Sequence, residues 1–177
     1  LKVLVTITLV CNLVALLLVP GMSLMKGPEE LLALTPYENP LEVPLRVGIA
    51  FVLSWGWVWT AGVYEVVLAL FLLFCGICTA VILWQGRRVL GTILTGAPFR
   101  AENGVSLRRA AVCCFLIAAA ALARVVWGLF YYGSVAPLLT YNALFVPIFI
   151  LGGLLCLVMS ALFRQAAELK AENDLTI

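Results

Sequence analysis

The sequence predicts an all-α membrane protein, a four-transmembrane-helix bundle with a small extracytoplasmic β-rich or interfacial element between helices 1 and 2. Three observations carry this. Of the 177 residues 64% are hydrophobic and 11% charged, with a mean hydropathy of +1.14, whereas soluble domains carry roughly 25% charged residues. Four apolar runs each reach the roughly 20 residues that cross a bilayer as a helix. Lys and Arg are distributed unevenly among the connections. The length suits one membrane domain.

The first span, about 3–25, opens "LKVLVTITLVCNLVALLLVPGMSLM". Pro20-Gly21 kinks or ends it. Its apolar run exceeds the core of a secretory signal and no small-x-small cleavage site follows, so it reads as an uncleaved helix. The absence of an initiator Met suggests that a short N-terminal piece precedes Leu1.

Residues 26–61 hold the polar connection, with Glu29, Glu30, Glu38 and Glu42 among Pro28, Pro36, Pro40 and Pro44. Leu41, Val43, Leu45 and Val47 alternate with polar residues and proline, the period of a strand, and Pro44 assigns that strand to an edge. Trp55, Trp57 and Trp59 continue the alternation and also suit a membrane interface. Residues 41–59 are therefore expected as a β-rich or interfacial element, with a membrane helix over 48–63 as the rival reading.

The second span is 62–84, followed by a polar connection at 85–106. The third covers 107–131, where Asn103 or Ser106 could cap its start. The fourth covers 143–163, with Pro147 expected to bend its outer half, and a charged tail occupies 164–177. Arg87, Arg88, Arg100, Arg108 and Arg109 crowd the second connection, and Lys2, Arg164 and Lys170 fall on the same side. Only Lys26 and Arg46 fall opposite. The positive-inside rule then makes both termini cytoplasmic, in a bacterial inner membrane.

The chain has no histidine, which removes His-ligated haem, His-containing metal sites and histidine acid–base chemistry. Its six cysteines lie in apolar runs and read as small hydrophobes. "CGIC" at 75–78 has redox spacing but no βαβ context, and Gly76 and Thr79 point to close helix packing instead. No phosphate loop, nucleophile elbow, zinc helix or paired carboxylates occur, so neither enzymatic activity nor a bound cofactor or metal is expected. The weak net charge of +2 gives no reason to expect direct nucleic-acid binding. No span carries a polar stripe and the halves do not repeat, which ranks a small permease last.

Two ionisable residues lie within spans, Glu65 and Arg124, a candidate intramembrane ion pair in the outer third of the bilayer. Snorkelling of each to the outer surface is the alternative. Small residues recur at packing spacing: Ala110, Cys114 and Ala118 on helix 3, and Gly152, Cys156 and Ser160 on helix 4.

The segment "GAPFRAENGVSLRRAA", 96–111, and the terminal "AAELKAENDLTI" resemble a family of small bacterial four-helix membrane proteins catalogued only as a domain of unknown function. The matching positions are Gly96, Pro98, Phe99, Asn103, Leu107 and Arg108, then Glu172, Asn173, Asp174, Leu175, Thr176 and Ile177. Members of that family are often encoded beside a small helix-turn-helix regulator. The resemblance thus implies a cytoplasmic protein partner, with Gly96, Pro98, Phe99, Asn103, Arg108, Glu172, Asn173, Asp174, Leu175 and Ile177 as the candidate contact surface. The expected partners are the lipid bilayer and either such a regulator or, alternatively, other membrane subunits to which this chain is accessory. Simple topological anchoring and contact with anionic lipid remain open roles for the arginines.

Overall fold

A computed structural model describes residues 1–24, 43–60, 62–96 and 100–174, and every element among them is helical. Helix α1 covers Lys2–Leu24, α2 Val43–Trp57, α3 Val63–Leu94, α4 Ala101–Tyr132 and α5 Tyr141–Asp174. Short 3-10 turns follow α2 at Val58–Thr60 and precede α5 at Ala136–Leu139. Among the described residues four helices are long and apolar enough to cross a membrane, within Lys2–Pro20, Val63–Leu94, Ala101–Tyr132 and Ala143–Asn173. The reason is one of solvent. Hydrocarbon offers no partner to a backbone amide, so an apolar chain satisfies its own polar groups by coiling into a helix.

The expected strand is corrected. Residues 43–57 are helical, and residues 41 and 42 lie outside those described. Among the side chains described between 48 and 60, the buried ones are Ser54 and Val58, four residues apart, at 4% and 1% exposure. Four is the spacing of one helix face. Trp55, Trp57 and Trp59 are all exposed, so their alternation reflects apolar residues on several sides of a helix rather than one face of a strand. Pro44 is tolerated because it stands in the first turn, where amides have no intrahelical acceptor. The helical reading of 48–63 was correct in type but begins at Val43, and fifteen residues give about 22 Å, short of the roughly 30 Å hydrocarbon core.

The chain divides into two compact units, Leu1–Asn12 with Cys75–Ile177, and Leu13–Phe74. In the second of these, Pro20 lies inside α1 and removes the amide that the carbonyl of Leu16 would otherwise accept. The adjoining Leu17 carbonyl accepts a hydrogen bond from Trp55 Nε1 at 3.1 Å, which ties α2 to the irregular turn. Trp55→Phe should lower stability by about 1 kcal/mol, read as a shift in thermal unfolding in detergent; an unchanged midpoint would show that the bond contributes nothing.

In the first unit α4 and α5 pack antiparallel along most of their length. Ala110, Ala111, Cys114, Ile117, Ala118, Ala121 and Val125 of α4 are buried, and small side chains let the backbones approach. A Cβ on Gly153 would stand 2.9 Å from Phe115 Cζ, and one on Gly152 would stand 4.0 Å from Cys114 Sγ. Cys114 is buried there, and Cys156 of α5 is half-buried. The contact closes at the connecting turn, where Pro137 packs on Gly128 and Thr140 Oγ1 donates to the Pro137 carbonyl at 2.6 Å. Helix α5 runs on through Pro147.

The helices outrun their apolar stretches. Helix α3 continues past Trp84 to Leu94, α4 begins at Ala101, and α5 continues past Arg164 to Asp174. At 32 to 34 residues each they measure roughly 48–51 Å. The polar connection expected at 85–106 is thus mostly helix, as is the expected tail up to Asp174.

Candidate functional site

The arginine-rich end of the first unit holds Gly96, Asn103, Arg108 and Ser160 of the residues singled out in the sequence, with Glu172, Asn173 and Asp174 on the helix that runs beyond it. Helix α3 ends there in a turn in which Gly96 has φ of +75° and its amide donates to the Ile93 carbonyl at 3.1 Å. Only glycine adopts this left-handed geometry without cost, which makes Gly96 the terminator of α3. Residues 97–99 lie outside those described, and Pro98 and Phe99 with them. Helix α4 then starts at Ala101 with Arg100 as its N-cap and no side-chain cap. The capping role expected of Asn103 or Ser106 is corrected, since both stand inside the first two turns.

Both are buried, Asn103 at 2% and Ser106 at 4% exposure. The hydroxyl of Thr92 on α3 lies 2.8 Å from the Val89 carbonyl and 2.9 Å from Asn103 Oδ1, and donates its one proton to one or the other. Asn103 therefore pins the start of α4 to the end of α3, and its side chain is turned away from solvent. Next to it, the Gly104 carbonyl accepts from Ser160 Oγ of α5 at 2.7 Å. A Cβ on Gly104 would stand 3.1 Å from the Ser160 carbonyl oxygen and 3.0 Å from Arg164 Cγ. Asn-Gly thus joins three helices within two residues. That hub was missed from sequence alone, where Asn103 read as surface and Gly104 went unremarked; its signal was a polar pair at the edge of an apolar helix facing Ser160.

The charged residues remain outside. Arg108, Arg109, Glu172 and Asn173 are exposed, while Leu107 is half-buried. Arg87 lies 5.8 Å from the Trp84 ring centroid, a weak cation–π arrangement. Lys2 of α1 reaches the same end, its Nζ 3.7 Å from where a Cβ on Gly91 would stand. Arg164 Nη2 lies 3.7 Å from Glu168 Oε1, with both side chains about two-thirds exposed (63% and 66%). Such a pair is worth little in water. Of the terminal residues, Asp174 closes α5, and Leu175, Thr176 and Ile177 lie outside those described.

Glu65 and Arg124 belong to different units, Glu65 to the second and Arg124 to the first, and both are half-buried. Glu65 stands in the first turn of α3, where the helix dipole favours a carboxylate. Its Oε2 lies 2.5 Å from where a Cβ on Gly62 would be, so the side chain folds back over the start of its own helix. "CGIC" forms part of α3, with Cys78 buried. Thr79 Oγ1 donates to the Cys75 carbonyl at 2.8 Å. All six thiols are free, and no group of three metal-ligating side chains occurs among the described residues.

No curated protein and no solved structure matches this chain. Residues 34–177 match the family described as "Protein of unknown function (DUF2975)". With four apolar helices fit to cross a membrane and that match covering most of its length, the chain is a multi-pass membrane protein of the DUF2975 family.

Proposed function

We propose that this protein is a non-enzymatic regulatory or signalling partner in the bacterial inner membrane, binding a cytoplasmic protein through the arginine-rich end and the terminal residues of α5. The observation that carries the reading is the overrun of α5, which continues as helix for ten residues past Arg164. From Glu168 to Asn173 every residue is exposed. Propagating a helix that is already nucleated costs little, and the exposed faces of this stretch offer a surface on which a partner could pack. By the charge rule this end is cytoplasmic, so a soluble regulator would reach it. The partner is expected to be a protein of the helix-turn-helix class, on the resemblance described above.

Deleting residues 172–177 should leave membrane insertion intact and abolish capture of the partner. The measurement is affinity purification in mild detergent of the intact and shortened chains, followed by identification of the co-purifying proteins. A soluble DNA-binding protein present only with the intact chain would support the reading. Integral membrane subunits retained by both would overturn it in favour of an accessory role.

A further inference from the structure

A cavity of about 380 Å³ opens between α4 and α5 at the arginine-rich end. It is lined by Arg108 of α4 and by Leu157, Ser160, Arg164, Gln165 and Glu168 of α5. Arg108 also lines, with Arg109, an apolar groove of about 420 Å³ walled by Val81, Val105, Val112 and Cys113. Arg108 thus stands between a polar cavity and an apolar groove, lining both.

The charge in the cavity is not balanced. Two guanidiniums meet one carboxylate, and Glu168 holds Arg164 only at 3.7 Å in an exposed pair. Ser160 donates its proton to the Gly104 carbonyl, so the available donors are Arg108, Arg164 and the Gln165 amide. Paired guanidiniums match the oxygens of a phosphate, which they can hold bidentately. Depth selects among phosphates. Arg164 directly follows the apolar run 143–163 of α5, and Arg108 and Arg109 directly precede the apolar run that opens at Ala110. The Gly104–Ser160 contact sets Arg108 level with about Leu157, so its backbone lies about 10 Å nearer the bilayer centre than that of Arg164. The two long side chains lining one cavity bracket the edge of the hydrocarbon, where lipid phosphates lie and basic pockets between helices bind anionic headgroups.

We propose that this cavity is a binding site for a phosphate group, supplied by an anionic phospholipid whose acyl chain runs along the Val81–Val105–Val112 groove. Arg108 and Arg164 clamp the phosphate oxygens, and Glu168 is the internal competitor that releases Arg164 when the lipid arrives. The site stands whether or not the chain binds a cytoplasmic partner.

The test is native mass spectrometry of the full chain released from nanodiscs of equal phosphatidylcholine and phosphatidylglycerol. The intact protein should retain phosphatidylglycerol over phosphatidylcholine by about tenfold or more. Arg108→Gln with Arg164→Gln should bring that ratio to parity, and Glu168→Gln should raise it. Should the double variant not fold, as judged by circular dichroism, Arg108→Gln alone, at an exposed position, should still lower the ratio. A parallel arm adds millimolar inorganic phosphate to detergent-purified protein and follows thermal stability. Stabilisation by phosphate without preference for phosphatidylglycerol would keep the phosphate site and make its ligand soluble. A phosphatidylglycerol preference that survives both arginine substitutions, or no preference and no phosphate effect, would overturn the proposal.

Discussion

Gly104→Leu is expected to destabilise the protein by about 3 kcal/mol, the upper part of the range for overpacking. The added side chain meets the backbone carbonyl of Ser160 at 3.1 Å, an atom that cannot rotate away as a side chain could. Relief requires α4 and α5 to separate, which also breaks the 2.7 Å bond from Ser160 Oγ, worth about 0.6 kcal/mol in membrane proteins. Leucine returns somewhat less than ~1 kcal/mol through its better helix propensity, too little to reverse the sign. Gly86→Leu is the control, because nothing lies within 4 Å of a Cβ there; it should be neutral or mildly stabilising. The buried thiols of Cys78 and Cys114 provide the readout, as labelling by a thiol-reactive dye during heating in detergent reports the opening of the α3, α4 and α5 contacts. Equal melting of the two variants would show that the Gly104 contact is not tight.

Asn103→Ala is the second large expectation, at about 2 kcal/mol. The side chain is 2% exposed, so its removal leaves a hole as well as a lost partner for Thr92. Thr92 retains the Val89 carbonyl, which keeps the loss below that of a fully orphaned donor. A double-mutant cycle with Thr92→Val isolates the bond between them, with a coupling of ~0.6 to 1.7 kcal/mol expected. Additive single effects would mean that Asn103 acts by filling space alone.

The spanning segments were legible because hydropathy is the physical quantity that decides them. Ala110, Cys114 and Ala118 on one helix and Gly152, Cys156 and Ser160 on the other stood out by their spacing, which left open whether these surfaces meet each other or another subunit. Helix α2 was not legible. Residues two apart on a helix are separated by 200°, so Trp55 and Trp57 point nearly opposite ways. A helix that is apolar on several sides has no helical period to detect, and its alternation imitates a strand. The extent of the helices was also hidden. Gln85, Arg87, Arg88 and Asn103 end a hydropathy window without ending a helix, because none of them breaks backbone hydrogen bonding. The breaks fall instead at Gly96, by its left-handed backbone, and at the Gly133–Thr140 turn. Asn103 was misplaced for a related reason: an amide looks like surface in a sequence, and only the presence of Thr92 across the turn explains why it is inside.

The lengths of α3, α4 and α5 have a mechanical consequence. A rod that overruns the bilayer converts a change of tilt into displacement at its tip. The stretch of α5 past Arg164 is about 15 Å long, so a tilt of ~10° sweeps its end through roughly 2.5 Å, close to the length of a hydrogen bond. Contacts made near Glu172 and Asn173 would therefore register small rotations of the helix within the lipid, and the membrane-spanning part would act as the long arm of a lever whose short arm points into water.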